Sequence, residues 1–217
     1  MRLSEYRIAL ETCIRQIARQ FVKNEGEGAF DLYYEAEIEA MLFSQLRRLP
    51  LMKVPDRDGC HRQLVHLHWP CVESRFIDVV IWHPSDINLY RKDWGNSCPQ
   101  TAPSRRLLAA AQIKRGGGRI SPKNAVEKDL KDLTSIGEAD VNRLTQLYFI
   151  EFVDHDVREC RGKRRYGDVK KALERWCDRD AKRRRVLLLS KDRVGFVYPR
   201  GSWVVDPLPA GVAESPR

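Results

Sequence analysis

The sequence predicts an α/β domain in which a mixed β-sheet is flanked by helices. Three observations carry this. Apolar residues recur at helical spacing near the N-terminus, then gather into short runs rich in β-branched and aromatic residues, and beyond residue 120 the two kinds of segment alternate. The apolar share, 42% of 217 residues, is enough for a buried core and too high for a disordered chain. No apolar run approaches the ~20 residues needed to cross a bilayer, so no membrane partner is expected.

The elements follow in order. Leu10, Ile14, Ile17 and Phe21 lie on one face of a helix over residues 4–23, with Ser4 as its cap. Gly26 and Gly28 break it. A second helix spans residues 32–49; its stripe is Tyr34, Ile38, Leu42, Leu46 and Leu49, and Pro50 closes it. Residues 64–69 and 75–82 read as strands, the first ended by Pro70 and the second by the His83-Pro84 pair. A polar loop covers 85–105. Residues 107–114 are a buried strand, although three alanines alone would permit a helix, and Gly116, Gly117 and Gly118 end it. Val126, Leu130, Leu133 and Ile136 mark a helix over 122–136. Residues 147–153 are a strand, and 166–181 a basic helix with Val169, Leu173 and Trp176 inward. Two short strands, 186–189 and 194–198, form a hairpin around Lys191 and Asp192. One domain over 1–198 results: an N-terminal helix (1–25), a core (30–155), and a basic helix with terminal strands (157–198). A loose tail rich in Pro and Gly covers 199–217.

The net charge is +9, and it is unevenly spread. Between Val157 and Arg185 thirteen basic residues stand against five acidic ones, so nearly the whole excess lies there. Two readings stay open: a phosphate-contacting surface, or a solvated helix face with i,i+4 pairs such as Lys170–Glu174. On the first, the nucleic-acid contacts are Arg161, Lys163, Arg164, Arg165, Lys170 and Lys171, joined by Arg115 and Arg119 beside the glycine turn. The six cysteines form no C-x-x-C pair, which argues against a zinc ribbon and suits a reducing, cytoplasmic setting. The first residues carry charges every few positions and lack the apolar stretch of a secretory signal. His66 and His68 share a strand face, with Cys60 and Cys71 nearby, but the spacing matches no common zinc module.

The chemistry-bearing residues are few. Asp78 interrupts the apolar strand 75–82, where a charge is costly unless paired or metal-bound. Gln112 and Lys114, at i and i+2 near the end of another apolar strand, share one face. The second helix carries Glu35, Glu37 and Glu39. Glu35 borders the buried stripe and ranks first; Glu39, one turn on, follows; Glu37 points round toward Met41.

In this ordered combination the chain resembles the PD-(D/E)xK nuclease superfamily over roughly residues 30–155. That restriction-endonuclease-like core runs helix, three strands, helix, strand. It carries an acid on the first helix, Asp on the second strand and E-x-K or Q-x-K on the third. Ile77 stands where the family name has Pro. Gln112 replaces the usual acid, as in the branch resembling Mrr-type restriction enzymes. The resemblance implies a metal-dependent DNA endonuclease that leaves 5′-phosphate ends, with Glu35, Asp78, Gln112 and Lys114 catalytic. Mg²⁺, or Mn²⁺ in its place, would be held by Asp78, Gln112 and Glu35, and Lys114 would orient or deprotonate the attacking water. The implied partner is double-stranded DNA. One centre cuts one strand, so a homodimer or a multi-protein system is expected, in phage defence, restriction or a mobile element. Because Gln112 removes a negative charge, a second reading stands beside this one: a catalytically degenerate nuclease fold that binds nucleic acid or assembles a complex.

Overall fold

Apolar spacing and burial agree along the first helix. In a computed structural model, α1 spans Leu3–Lys23 and buries Tyr6, Leu10, Ile14 and Ile17. The structure describes residues 3–23, 35–55, 59–70, 76–86, 107–116, 121–140, 144–153, 164–190, 193–197 and 203–207. Helix α2, Glu35–Arg48, buries Ile38, Leu42 and Leu46. It starts on Glu35 and Glu37 and ends on Arg47 and Arg48, charges that complement the helix dipole. A 3₁₀ turn at Pro50–Met52 leads into a two-stranded antiparallel ribbon, β1 (Lys53–Pro55) and β2 (His61–Gln63). The sequence did not announce this ribbon, because three-residue strands with mostly exposed side chains carry no readable alternation.

The main sheet has seven strands in chain order: β3 (Val65–Pro70), β4 (Phe76–Trp82), β5 (Leu107–Gly116), β6 (Gln146–Val153), β7 (Arg184–Ser190), β8 (Arg193–Val197) and β9 (Trp203–Pro207). It is mixed, as expected. β3–β4–β5 and β7–β8–β9 pair antiparallel, and β5–β6–β7 pair parallel. Each parallel connection contains a helix, α3 (Lys123–Ala139) and then α4 (Arg164–Asp178), because parallel neighbours need a crossover. The parallel centre is covered on both faces, so β6 is apolar almost throughout: Leu147, Tyr148, Phe149, Ile150 and Phe152 are all buried. Its alternation locates the layers. The Tyr148 hydroxyl donates to Glu11 of α1 at 3.2 Å. Leu147, pointing the other way, packs so close to Gly137 of α3 that a Cβ there would lie 2.7 Å from its Cδ1. Thus α1 and α3 cover opposite faces.

Two expectations change. Residues 203–207, expected in a loose tail, pair with β8 as β9; β8 would otherwise present an unpaired edge, and Trp203, Val204 and Val205 suit a strand. Residues 208–217 and the turn at Lys191 and Asp192 lie outside the described residues, as does most of the loop read over 85–105. The basic cluster is also not all surface. Arg183, Arg184 and Arg185 are buried. Arg183 lies 2.6 Å from Asp180; Arg184 donates to the Trp176 carbonyl at 3.0 Å and stands over the Trp176 ring; Arg185 donates to the Ala181 carbonyl at 2.8 Å. Their guanidinium groups lock the turn between α4 and β7. No helix among the described residues is long and apolar enough to cross a membrane.

Phe149→Ala opens a cavity in the doubly covered strand and costs about 3–5 kcal/mol, whereas Tyr148→Phe, which loses one hydrogen bond, costs about 1 kcal/mol; denaturant titration measures both. His66 lies against Trp82 and Trp69, with ring centroids 4.9 and 5.9 Å away. Burial pushes its imidazole down to about 4; a hydrogen bond with the Gln63 backbone resists, and the Arg47 charge adds to the fall. The unfolded chain takes up this proton near 6.5, so the contribution of His66 to stability is whole above that pH and is lost as pH falls toward about 4. His66→Phe should flatten the melting temperature across that window relative to wild type.

Candidate metal centre

The site forms where β4 and β5 stop pairing. Their regular register ends at Val79↔Ala111. One residue further, side chains take over the ladder. Gln112 Oε1 accepts the Asp78 N–H at 3.0 Å, and Gln112 Nε2 donates to the Phe76 carbonyl at 3.2 Å. Asp78 Oδ2 accepts the Ile113 N–H at 2.6 Å. Buried backbone groups must be paired, and here two polar side chains let the strands part without leaving those groups unsatisfied.

Into this opening α2 directs its first turns. Carboxylate oxygens of Glu35, Glu39 and Asp78 lie within 4.8 Å of one another. Glu35 and Glu39 are four residues apart, hence on one helix face. Glu37 is exposed and outside the cluster. Burial pushes the Asp78 carboxyl up to about 8; Glu39 and Glu35 add to the rise, while the Ile113 N–H and Lys114 oppose it. Without a cation the Asp78 carboxyl therefore holds a proton at neutral pH.

Lys114 sits at the join of three elements. From β5 its Nζ donates to Glu35 Oε1 on α2 at 3.1 Å and lies 3.1 Å from Asp129 Oδ2 on α3. Burial alone would lower its pKa, but Asp129 and Glu35 outweigh that and hold the ammonium above its ordinary range. Burial raises the Asp129 carboxyl, and Lys114 draws it back. Beside Lys114 in the β5–β6 register stands Glu151, fully buried, whose Oε1 accepts the Ser121 N–H at 2.6 Å. Burial raises its carboxyl as well.

His68 completes the rim. Leu67 pairs with Val79 and Trp69 with Ile77, so His68 falls opposite Asp78, where no pair forms. Its φ of 48° is in the left-handed region, which a side chain other than Gly enters at a cost of about 1–2 kcal/mol. Its Nε2 lies 2.8 Å from Glu39 Oε2, so the imidazole N–H donates to a buried carboxylate.

The sequence-derived residues thus fare differently. Glu35, Asp78 and Lys114 converge. Gln112 is at the site, but both its polar atoms engage the β4 backbone; the third carboxyl of the acid group belongs to Glu39. Asp129 is new to the site, and His68, weighed from the sequence only as a zinc ligand beside His66, joins it through Glu39. Asp129 left a signal, an acid within the apolar stripe of Val126, Leu130 and Leu133; the backbone turn at His68 left none. Of the nucleic-acid set, Arg119, Arg161 and Lys163 lie outside the described residues, and Arg164 and Arg165 begin α4. Arg115 follows Lys114 on the strand and so faces the other side. Lys170 pairs with Glu174 at 3.5 Å, as the solvated-face reading expected, and Lys171 is exposed. Compared with known protein families, curated proteins and solved structures, the chain matches none.

The hydrogen bonds of Gln112 predict the effect of restoring an acid there. Gln112→Glu removes the donor to the Phe76 carbonyl and faces that oxygen with a carboxylate. It should cost about 1–3 kcal/mol in metal-free buffer, read as a lower denaturation midpoint. A Glu variant as stable as wild type would refute this bridging role.

Proposed function

We propose that the protein is a metal-dependent nuclease with a restriction-endonuclease-like core, cutting DNA to leave 5′-phosphate ends. The convergence of Glu35, Glu39 and Asp78 on one side of Lys114, at the parted ends of β4 and β5, carries this reading. The donor set fits a hard divalent cation: all three groups offer oxygen, two carboxyls are half-buried and one buried, and their mutual repulsion is what positive charge relieves. Mg²⁺ or Mn²⁺ held there would supply Lewis acidity toward a phosphate oxygen and make a bound water more acidic. The chain's own groups do the rest. Asp78, fixed by the Ile113 N–H, would ligate the cation together with Glu35 and Glu39. His68 fixes Glu39. Gln112 holds the Asp78 backbone in place and is a positioning residue.

Lys114 acts as a cation in this scheme. Two carboxylates favour its charged form, which argues against its serving as the base that deprotonates water. An ammonium has three donors; with Glu35 and Asp129 as neighbours, one remains to orient water or to stabilise charge on the phosphate. The second reading, a nuclease fold that binds DNA without cutting, is favoured by one observation: the strand position where the family carries an acid holds Gln112, whose amide is engaged by the β4 backbone.

A cleavage assay separates the two. Plasmid DNA with Mg²⁺ or Mn²⁺ should be cut by wild type, and Asp78→Asn, Glu39→Gln and Lys114→Ala should each lower the rate by about 10²–10⁴. Equal cleavage by wild type and variants would discard the assignment. Binding without cleavage in either metal would select the second reading.

A further inference from the structure

A second feature lies on the far side of α3 from Lys114. Asp129 faces Lys114, whereas Lys123, Glu127 and Lys131, spaced i, i+4, i+8, form one wall of a groove against α4. Lys171, Arg175 and Arg179, at the same spacing, form the other wall, and Arg179 extends the last turn through its N–H to the Arg175 carbonyl at 3.3 Å. The groove encloses about 360 Å³. Its floor is Leu130 and Trp176, and the Trp176 indole N–H is held by Thr134 Oγ1 at 3.0 Å. Five cations thus face one carboxylate, which Lys123 partly neutralises at 3.6 Å. Among the described residues Lys131, Lys171, Arg175 and Arg179 have no ion-pair partner. Like charges one turn apart repel along a helix, and an anion between the two walls relieves that repulsion.

We propose that this groove binds the phosphate backbone of a nucleic-acid duplex, as a docking track beside the metal centre. The inference rests on the nuclease reading for its occupant. Residues four apart rise about 6 Å along a helix, comparable with the separation of neighbouring phosphates along one strand, so successive cations of a wall can meet successive phosphates. Lys114 lies on the other side of α3, a helix about 10 Å wide with side chains, so the track and the metal centre flank one helix. Its recognition is of charge and spacing, without base edges, so binding is sequence-independent.

Fluorescence anisotropy with a labelled 20-base-pair duplex, in EDTA and over a range of NaCl concentrations, tests this without any cutting. Wild type should bind with a steep salt dependence. The Lys131→Gln, Lys171→Gln, Arg175→Gln, Arg179→Gln variant should bind at least about tenfold more weakly at 0.1 M salt, with the slope of log K against log[salt] reduced by about 3–4. Lys131→Arg, Lys171→Arg, Arg175→Lys and Arg179→Lys together should keep the wild-type slope. If the Gln variant does not fold, the single reversal Lys171→Glu decides by the same loss of affinity. An unchanged slope in the neutralised variant, no duplex binding by wild type at low salt, or polyglutamate competing as well as DNA would each overturn the proposal. Groove-dependent binding by a protein that never cuts would instead sink the nuclease reading and leave the groove standing.

Discussion

The candidate centre depends on how β4 and β5 part. A sheet cannot simply open in the interior, because every N–H and C=O released there must find a partner. Asp78 and Gln112 solve this reciprocally: the carboxylate takes an N–H from β5, and the amide serves an N–H and a carbonyl of β4. The gap so made is polar, narrow and walled by apolar neighbours, since Ile77, Val79, Ala111 and Ile113 are all buried. It admits the first turns of α2 and raises the Asp78 carboxyl, which keeps its proton at neutral pH unless a cation displaces it.

Lys114 ties this opening to the rest of the molecule. It bridges a helix on either side of its strand, through Glu35 and Asp129. A buried ion pair contributes little net stability once desolvation is counted, so the value of this one lies in geometry. It sets the position of the α2 N-terminus relative to β5. The left-handed backbone at His68 acts in the same direction from the other edge, holding Glu39. Strain at one residue and burial of several charges are concentrated within one corner of the fold.

The positive charge divides by location. Arg183, Arg184 and Arg185 belong to the interior, where guanidinium groups satisfy carbonyls at the turn into β7. Lys171, Arg175 and Arg179 stand in solvent along α4, facing Lys131 across the groove. Linear sequence runs these together as one basic cluster, because a count of charges carries no direction.

The sequence by itself determined the order of the main helices and strands, since periods of 3.6 and 2 are local properties. It also marked Asp78, Lys114 and the acids of α2, because a charge within an apolar run stands out wherever the chain goes. The short ribbon of β1 and β2 and the last strand, β9, escaped it: three exposed residues hold no pattern, and an edge strand is chosen by the partner it pairs with. Tertiary structure alone decided that Gln112 bridges backbone groups and that Glu39 joins Glu35 in the acid group. It likewise brought in Asp129 and His68. These outcomes depend on which backbone groups lack partners and which charges meet across elements far apart in the chain, and neither is written in the spacing of residues along it.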